Sequence, residues 1–413
     1  MFQPNASDPV AGQPTAEAPL SASSFHLRGA AAHSFQQFGH LYGGIAMTSN
    51  QPSRRTVLRS ASGMALAAGA TLLGGRALAS PAGAAASPHA AQAIVNDKVT
   101  WWDATSVAGP AAVYCGLVPS ANAYTTAIAW RGNQNSSNLT VANVMGPVGR
   151  FTGSVLQKTI LNDYSGNAPA FAPKPGPYGL RMTWSGTNGG RSINFACLSV
   201  YSTGTPRFAG EITRRELVAG NLISCTTGPT WGYSALNHNQ IIVTDQYGQV
   251  VAAEQQTDEL TFTVPITQRF LTNPRGAVHS WYDGSLGTYW VWTASDGTIT
   301  FASVDANGAI AVVRSAQSSQ FAPSDVAYSY ASNQLFLAWT TTSGRIALAP
   351  LFPDAVKRGA DPIGAVNLLA EQSLAAPALL ARYSPSGTTK PAFDLFWTGI
   401  DGTGALNAAV ITF

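Results

Sequence analysis

A pattern recurs six times along this chain, and any fold it adopts has to place six near-equivalent units. Its clearest element is an apolar run ending in Trp, a polar turn and a second alternating run: Ala129-Trp130 before Leu139-Thr140-Val141, Thr183-Trp184 before Ile193-Asn194-Phe195, and Val291-Trp292 before Ile299-Thr300-Phe301. Ala338-Trp339 before Ile346-Ala347-Leu348 and Phe396-Trp397 before Leu406-Asn407-Ala408 continue the series, and a degenerate copy has Val243 in the Trp place before Val250-Val251-Ala252. Upstream of each hairpin a Pro opens another apolar run, at Pro110, Pro169, Pro229, Pro274, Pro323 and Pro377. The Pro and Trp series each span 267 residues, so two independent markers keep one register at about 53 residues per unit.

Before each Pro comes a further β-rich segment: Lys98 to Trp102, Lys158 to Leu161, Arg215 to Val218, Ile266 to Leu271, Ile310 to Arg314 and Val366 to Leu369. Each unit therefore reads as four short strands with alternating apolar positions and Gly, Asn or Asp turns, which predicts an all-β, six-bladed propeller with four-stranded blades over residues 94–413. Pro at the start of an inner strand removes a donor where the ladder has not yet begun. A two-sheet sandwich is the alternative, and it gives no reason for six copies in register. The chain ends on the third strand of the last unit, whereas Lys98 to Trp102 matches a fourth strand. The N-terminal strand is thus expected to complete the last blade and leave no open edge. Trp130, Trp184, Trp292, Trp339 and Trp397 read as interblade core, because their place follows blade register.

Only 10% of the residues are charged, against roughly a quarter in an average soluble domain, so Ser, Thr, Asn, Gln and Gly must build the surface. Beyond residue 93 the chain has 18 basic and 18 acidic side chains. A net charge near zero leaves no footprint for nucleic acid, whose backbone is bound by clustered Lys and Arg. Cys115, Cys197 and Cys225 allow at most one disulfide, with Cys197 and Cys225 the pair that falls within one unit. No C-x-x-C or His-rich spacing points to a metal, and no cofactor is expected.

Ser53-Arg54-Arg55-Thr56-Val57-Leu58-Arg59 precedes the weakly apolar run Gly63 to Leu73, which ends in Gly74-Gly75-Arg76 and the small-residue site Ala77-Leu78-Ala79. This segment resembles a bacterial twin-arginine export signal, which implies passage of the folded chain through the twin-arginine translocase to a periplasmic or extracellular location. The apolar run is too short and too rich in Gly and Ala for a membrane span of about 20 residues, so the mature chain is expected not to be an integral membrane protein. On this reading residues 1–46 are disordered or follow a start codon placed too early, 47–79 are the signal, and 80–93 are a disordered spacer of Ala, Ser, Pro and Gly.

Across residues 94–413 the repeat resembles the six-bladed propellers of the fucose-binding lectin and sialidase-like superfamilies, through the repeat shape and the phrase Trp397-Thr398-Gly399-Ile400-Asp401-Gly402. The resemblance implies carbohydrate binding or glycoside hydrolysis. Two departures stand beside it. Sialidases usually carry Asp boxes in which Asp and Gly are spaced by one residue, and here Asp296-Gly297 and Asp401-Gly402 are adjacent. Fucose lectins set Arg, Glu and Trp between successive blades, and that trio is not matched repeat by repeat.

In a four-strand meander the second-to-third turn and the link from the fourth strand to the next unit emerge at the same end, so these loops define one face. From Trp130 to Leu139, Trp184 to Ile193 and Trp397 to Leu406 is nine residues; from Val243 to Val250, Trp292 to Ile299 and Trp339 to Ile346 it is seven. The difference of two leaves the side-chain face unchanged. The corner before each Pro divides the same way, with Asp103, Asp163 and Glu371 where the other units have Gln268, Gln317 and Ile223. The long turns add Arg131, Asn133, Asn188, Arg191 and Asp401, able to exchange hydrogen bonds with sugar hydroxyls, while Trp102 and Tyr164 stand beside two of the acids, placed to stack on a sugar face. The competing reading is a turn cap in every blade, because Thr105, Ser165, Ser319 and Ser373 follow the corner residues by two. His238 and His279 have no partner at metal-ligand or triad spacing and read as satisfied polar side chains; Gly402-Thr403-Gly404 is too short for a phosphate loop.

The first functional expectation is an exported, lectin-like carbohydrate-binding propeller without catalysis. The second is a glycoside hydrolase or lyase using two of Asp103, Asp163 and Glu371, chemistry that needs two carboxylates about 5 to 10 Å apart. The third is a protein-binding scaffold.

Overall fold

The computed structural model describes residues 92–118, 123–133, 137–147, 154–172, 180–187, 193–199, 207–208, 213–214, 227–233, 239–245, 247–254, 266–268, 274–283, 287–304, 310–329, 331–382 and 390–413. The segments expected to be signal and start region lie outside them, as does all but the last two residues of the spacer. Among the described residues no helix is long and apolar enough to cross a membrane.

The strands form six antiparallel sheets, one per repeat. Blade 1 runs Ala111–Val118, Ala123–Arg131, Asn138–Pro147 and Ser154–Tyr164. Blade 2 has Ala170–Phe171, Leu180–Ser185 and Ile193–Ser199, with two short outer pieces, Arg207–Phe208 and Thr213–Arg214. The outer strand expected at Arg215 to Val218 lies outside the described residues; the ladder is made by Thr213 and Arg214 opposite Phe195 and Asn194. Blade 3 comprises Thr230–Tyr233, Asn239–Thr244, Val250–Glu254 and Ile266–Gln268. Blade 4 comprises His279–Asp283, Gly287–Thr293, Thr298–Val304 and Ile310–Ser318. Blade 5 comprises Ala327–Ser329, Gln334–Thr340, Arg345–Leu351 and Asn367–Gln372, with the helix Pro353–Lys357 before its outer strand. Blade 6 takes Ala378–Ala381, Ala392–Thr398 and Ala405–Thr412 from one end of the chain and Ile94–Thr105 from the other.

That last pairing closes the ring as expected. Ile94 lies opposite Thr412 and Trp101 opposite Leu406. The Thr100 hydroxyl donates to Asn407 Oδ1 at 2.6 Å across the closing ladder. Register shifts between Asn96 and Val99 and again between Trp101 and Thr105. The second shift is a bulge that inserts residues on the closing strand and displaces its last positions relative to the other blades.

Alternating strands make both faces of each blade apolar, so the core lies between blades. Six clusters fill the six interfaces. Ile128 and Trp130 of blade 1 meet Phe396 and Val410 of blade 6; Val141 meets Met182 and Trp184; Phe195 meets Trp231; Ile242 meets Trp290 and Trp292; Phe301 meets Leu337 and Trp339; Phe336 meets Phe393 and Trp397. All five repeat tryptophans are buried, none more than 3% exposed. Their regular spacing is therefore a packing requirement.

A hydrogen-bonded joint locks adjacent blades where one hands over to the next. Ser106, Ser165, Ser319 and Ser373 are each at most 2% exposed. Each backbone N–H donates to the second-to-third turn of its own blade, at Gly404, Ser137, Gly297 and Gly344, over 2.8–2.9 Å. Each hydroxyl lies within reach of the last second-strand carbonyl of the next blade, at Arg131, Ser185, Thr340 and Thr398. In return Thr293, Thr340 and Thr398, which come directly after the repeat Trp, donate to link carbonyls of Phe321, Ala375 and Ala108 at 2.7–2.8 Å.

Deleting residues 94–104 exposes the ladder edge of Ala405–Thr412 and uncovers Trp130. The expected outcome is aggregation or loss of cooperative melting, measured by size exclusion and thermal denaturation; a melting curve like that of the intact chain would contradict ring closure by this strand.

Candidate functional site

The six links converge on the ring axis and form the wall of a cavity of about 280 Å³ on the face carrying the second-to-third turns. Its rim is built from a small residue followed by Pro: Gly109-Pro110, Ala168-Pro169, Gly228-Pro229, Ala322-Pro323 and Ala376-Pro377. In blade 4 the place is taken by Gly276-Ala277, three residues after the expected marker, because Pro274 instead bridges to Ala294. Small residues are needed here because neighbouring links touch. A Cβ on Gly109 would stand 2.4 Å from the Ala376 carbonyl oxygen, and one on Gly228 2.7 Å from that of Ala168.

Two residues past each of these positions, the inner strands present one layer of side chains toward the axis. Four blades supply Ala112, Phe171, Trp231 and Leu379. Blades 4 and 5 instead supply His279 and Asp325, whose Nδ1 and Oδ1 are paired across the blade boundary. The imidazole is largely enclosed, with 13% of its side chain exposed, while the carboxylate is 60% exposed at the mouth. Arg275, exposed on the same rim, completes the charged groups among the described lining residues. Below this layer a second cavity of about 210 Å³ shares Ala112 and Asp325 with the first and is lined by Tyr114, Phe171, Trp231 and Trp281. An apolar funnel with a few converging polar groups is the usual form of a small-molecule site. Sequence spacing could not reveal the pair, because its members sit 46 residues apart on different blades.

Asp103, Asp163 and Glu371 are not among the residues that line the mouth. Glu371 on blade 5 pairs with Lys98 of the closing strand at 2.5 Å, and Asp103 of that strand pairs with Lys158 on blade 1 at 2.9 Å. The Lys158 hydrogen bond holds the Asp103 carboxyl below its ordinary value. The two contacts tie three successive outer strands, though exposed pairs of this kind contribute only about 0–1 kcal/mol. Asp163 is 9% exposed and accepts the Tyr164 N–H at 2.6 Å. Arg131 donates to the Gly166 carbonyl at 2.9 Å, a link contact one residue short of the carbonyl that Thr reaches after Trp in blades 4 to 6. Arg131 thus reaches the link that follows Asp163 and Tyr164. The capping serine comes two residues after Asp163, Gln317 and Glu371 but three after Asp103, at Ser106 rather than Thr105, because of the bulge in the closing strand.

Asp401 closes its own turn, Oδ1 accepting the Thr403 hydroxyl at 2.7 Å and N–H at 3.1 Å, and the first of these bonds lowers its carboxyl below the ordinary value. Asp296 repeats the arrangement with Thr298, and Gly297 and Gly402 come next at φ +86° and +80°. Adjacent Asp-Gly therefore makes a tight turn in both blades. Trp102 and Tyr164 are 66% and 47% exposed, available for stacking. Arg191 and Asn188 lie outside the described residues, as does Cys225. Cys115 is in no disulfide, its thiol lying 3.9 Å from the Val113 carbonyl oxygen and pushed up to about 12 by burial. No cluster that could hold a metal occurs among the described residues.

Near the far end of the channel, blades 1 and 6 share a buried polar cluster. Asp394 accepts the Tyr114 hydroxyl at 2.9 Å and lies 3.1 Å from Arg382 Nε, with both charged side chains under 10% exposed. Burial pushes the Asp394 carboxyl up to about 6, against the pull of Arg382 and Tyr114. Because the folded value lies above the ordinary 3.8, the stabilising contribution is complete below that pH and is lost as pH rises through about 6. The Asp394→Asn variant, which has no such titration, should gain stability relative to the parent by on the order of 1–3 kcal/mol between pH 4 and 7.5 in denaturant titrations. A pH-independent difference would contradict the assignment.

No protein-family model and no curated protein sequence matches the chain. Solved structures resemble it in fold. An α-L-arabinofuranosidase from Fusarium graminearum, in complex with an iminosugar inhibitor, aligns with TM-score 0.50 at 10% identity, over 78% of this chain and 98% of that one. A fucose-recognising six-bladed propeller lectin from Aleuria aurantia aligns with TM-score 0.48 at 10% identity, over 72% and 89%. A luciferin-regenerating enzyme aligns with TM-score 0.44 at 8% identity, over 78% and 94%.

Proposed function

We propose that this chain is an exported carbohydrate-binding propeller whose ligand enters the axial mouth on the link-bearing face. The observation that carries the reading is the break in the ring at one layer. Where four blades present apolar side chains, blades 4 and 5 present the His279–Asp325 pair, above a wall containing Phe171 and Trp231. A paired imidazole and carboxylate can read adjacent hydroxyls as donor and acceptor. The fold is used both by a glycosidase and by a lectin, so it does not choose between catalysis and binding. The site favours binding: two-carboxylate hydrolysis needs a second acid beside the first, and Asp325 is the one carboxylate among the described residues that line the mouth.

Glycan-array screening followed by calorimetry tests the reading. His279→Ala and Asp325→Asn should each weaken the selected glycan by about 10- to 100-fold, the range for a hydrogen bond to a charged group, with melting retained. The Asp103→Asn, Asp163→Asn, Glu371→Gln variant should bind within a few-fold of the parent. Undiminished binding in the mouth variants, or its loss in the corner variant, would move the site to the corners.

Export rests on the arginine pair. Replacing Arg54 and Arg55 by Lys should retain the chain in the cytoplasm, because the pathway reads the two guanidinium groups; full secretion of that variant would refute this route.

A further inference from the structure

We infer that blade 5 carries a second carbohydrate site, independent of the mouth and on the opposite face, shaped for an uncharged pyranoside. The turn between the first two strands of this blade and the segment after its third strand emerge at the end away from the links, and together they form a groove of about 640 Å³. That volume lies within the roughly 300–1,000 Å³ of small-molecule sites. Two aromatic rings line it, Tyr328 at 38% exposure and Phe352 at 48%. Neither ring belongs to an interblade cluster, and both are partly exposed along the groove.

The groove is built on anchored chain. The helix Pro353–Lys357 buries Ala355 and Val356, and Val356 joins the cluster between blades 4 and 5. Beyond the helix, Asp361 Oδ2 accepts the Ser315 hydroxyl and the Ala316 N–H, both at 2.7 Å, fastening the segment to the outer strand of blade 4. Gly364 packs against the Phe352 ring so closely that a Cβ there would stand 2.7 Å from Cε2, which holds the ring in its outward position. On the other wall the Tyr328 hydroxyl bonds Asn333 Oδ1, and Asn333 lies at φ +52°. A site whose side chains are already held needs little ordering when a ligand arrives.

The polar complement sets the ligand class. Asp354 and Arg358 line the groove together with Asn333 and Gln334, giving one anion, one cation and two amides. The charges balance, which favours a neutral ligand, and the set supplies both donors and acceptors, as sugar hydroxyls require. Two aromatic rings add surfaces for the C–H faces of a pyranose.

Saturation-transfer NMR on the full chain tests this, using the methyl pyranosides of glucose, galactose, mannose, fucose and xylose as probes. In the His279→Ala, Asp325→Asn background, which disables the mouth, at least one probe should still receive saturation transfer. Adding Tyr328→Ala and Phe352→Ala should abolish it. Asp354→Asn with Arg358→Gln, which leaves both rings and the buried anchors intact, should weaken it at least tenfold in a competition titration and serves if the ring variant fails to fold. Absence of transfer in the mouth-disabled background overturns the second site, as does transfer that survives both groove variants. Failure of the mouth reading is separate: in the Asp354→Asn, Arg358→Gln background it shows as binding that adding His279→Ala and Asp325→Asn leaves unchanged.

Discussion

A four-stranded blade with alternating apolar residues on both faces cannot bury either face alone. Each must be covered by a neighbour, and only a closed ring covers all of them. The six interblade clusters meet that need, with a buried Trp at the same place in five of the six blades. The serine joints answer the same constraint: bringing blades into contact also buries backbone groups at every handover, and the links satisfy them with bonds to both neighbouring blades. A single substitution at a link therefore acts on two blades at once.

The repeats provide an internal comparison. Features common to all six blades are explained by packing, and features that differ between them are where chemistry can reside. Judged this way, the two-residue turn insertions of blades 6, 1 and 2 and the acidic corners on the outer strands of blades 5, 6 and 1 are partly absorbed into structure. Lys98 and Lys158 engage Glu371 and Asp103, and Arg131 substitutes for the threonine that elsewhere bonds the link. The deviation at the axis has no counterpart in the joints. His279 and Asp325 occupy positions that four other blades fill with apolar side chains, and their exchange of a hydrogen bond contributes to no strand ladder. The helical segment of blade 5 is likewise a departure from the common unit.

The architecture was legible because each Trp is forced into register by an interblade contact, and the strand that closes blade 6 was legible because it lacks its own inner partners. The features that sequence periodicity could not reach depended on contacts between blades. The bulge after Trp101 places Ser106, not Thr105, in the joint, and no local residue pattern marks that slip. Ala277 holds the rim position of blade 4 because Pro274 is drawn into a bridge with Ala294, a choice decided by the neighbouring strand. His279 had no partner at a recognisable spacing because Asp325 reaches it from another blade. The blade 5 groove was invisible for the same reason, since Tyr328 lies on the first strand and Phe352 follows the third, and only the meander brings them to one end.

Closure of blade 6 also imposes an order on assembly. Thr100 and Asn407 bond across 307 residues of chain. At roughly 5–20 residues per second of synthesis, about 15–60 s separate the emergence of the two partners from the ribosome. During that interval the first strand has no ladder to join and blade 1 has its Trp130 face uncovered, so five blades can form before the ring exists. The last interface to be sealed is then the one between the oldest and the newest parts of the chain. Quality control that senses exposed apolar surface would recognise an unclosed ring by that one open seam.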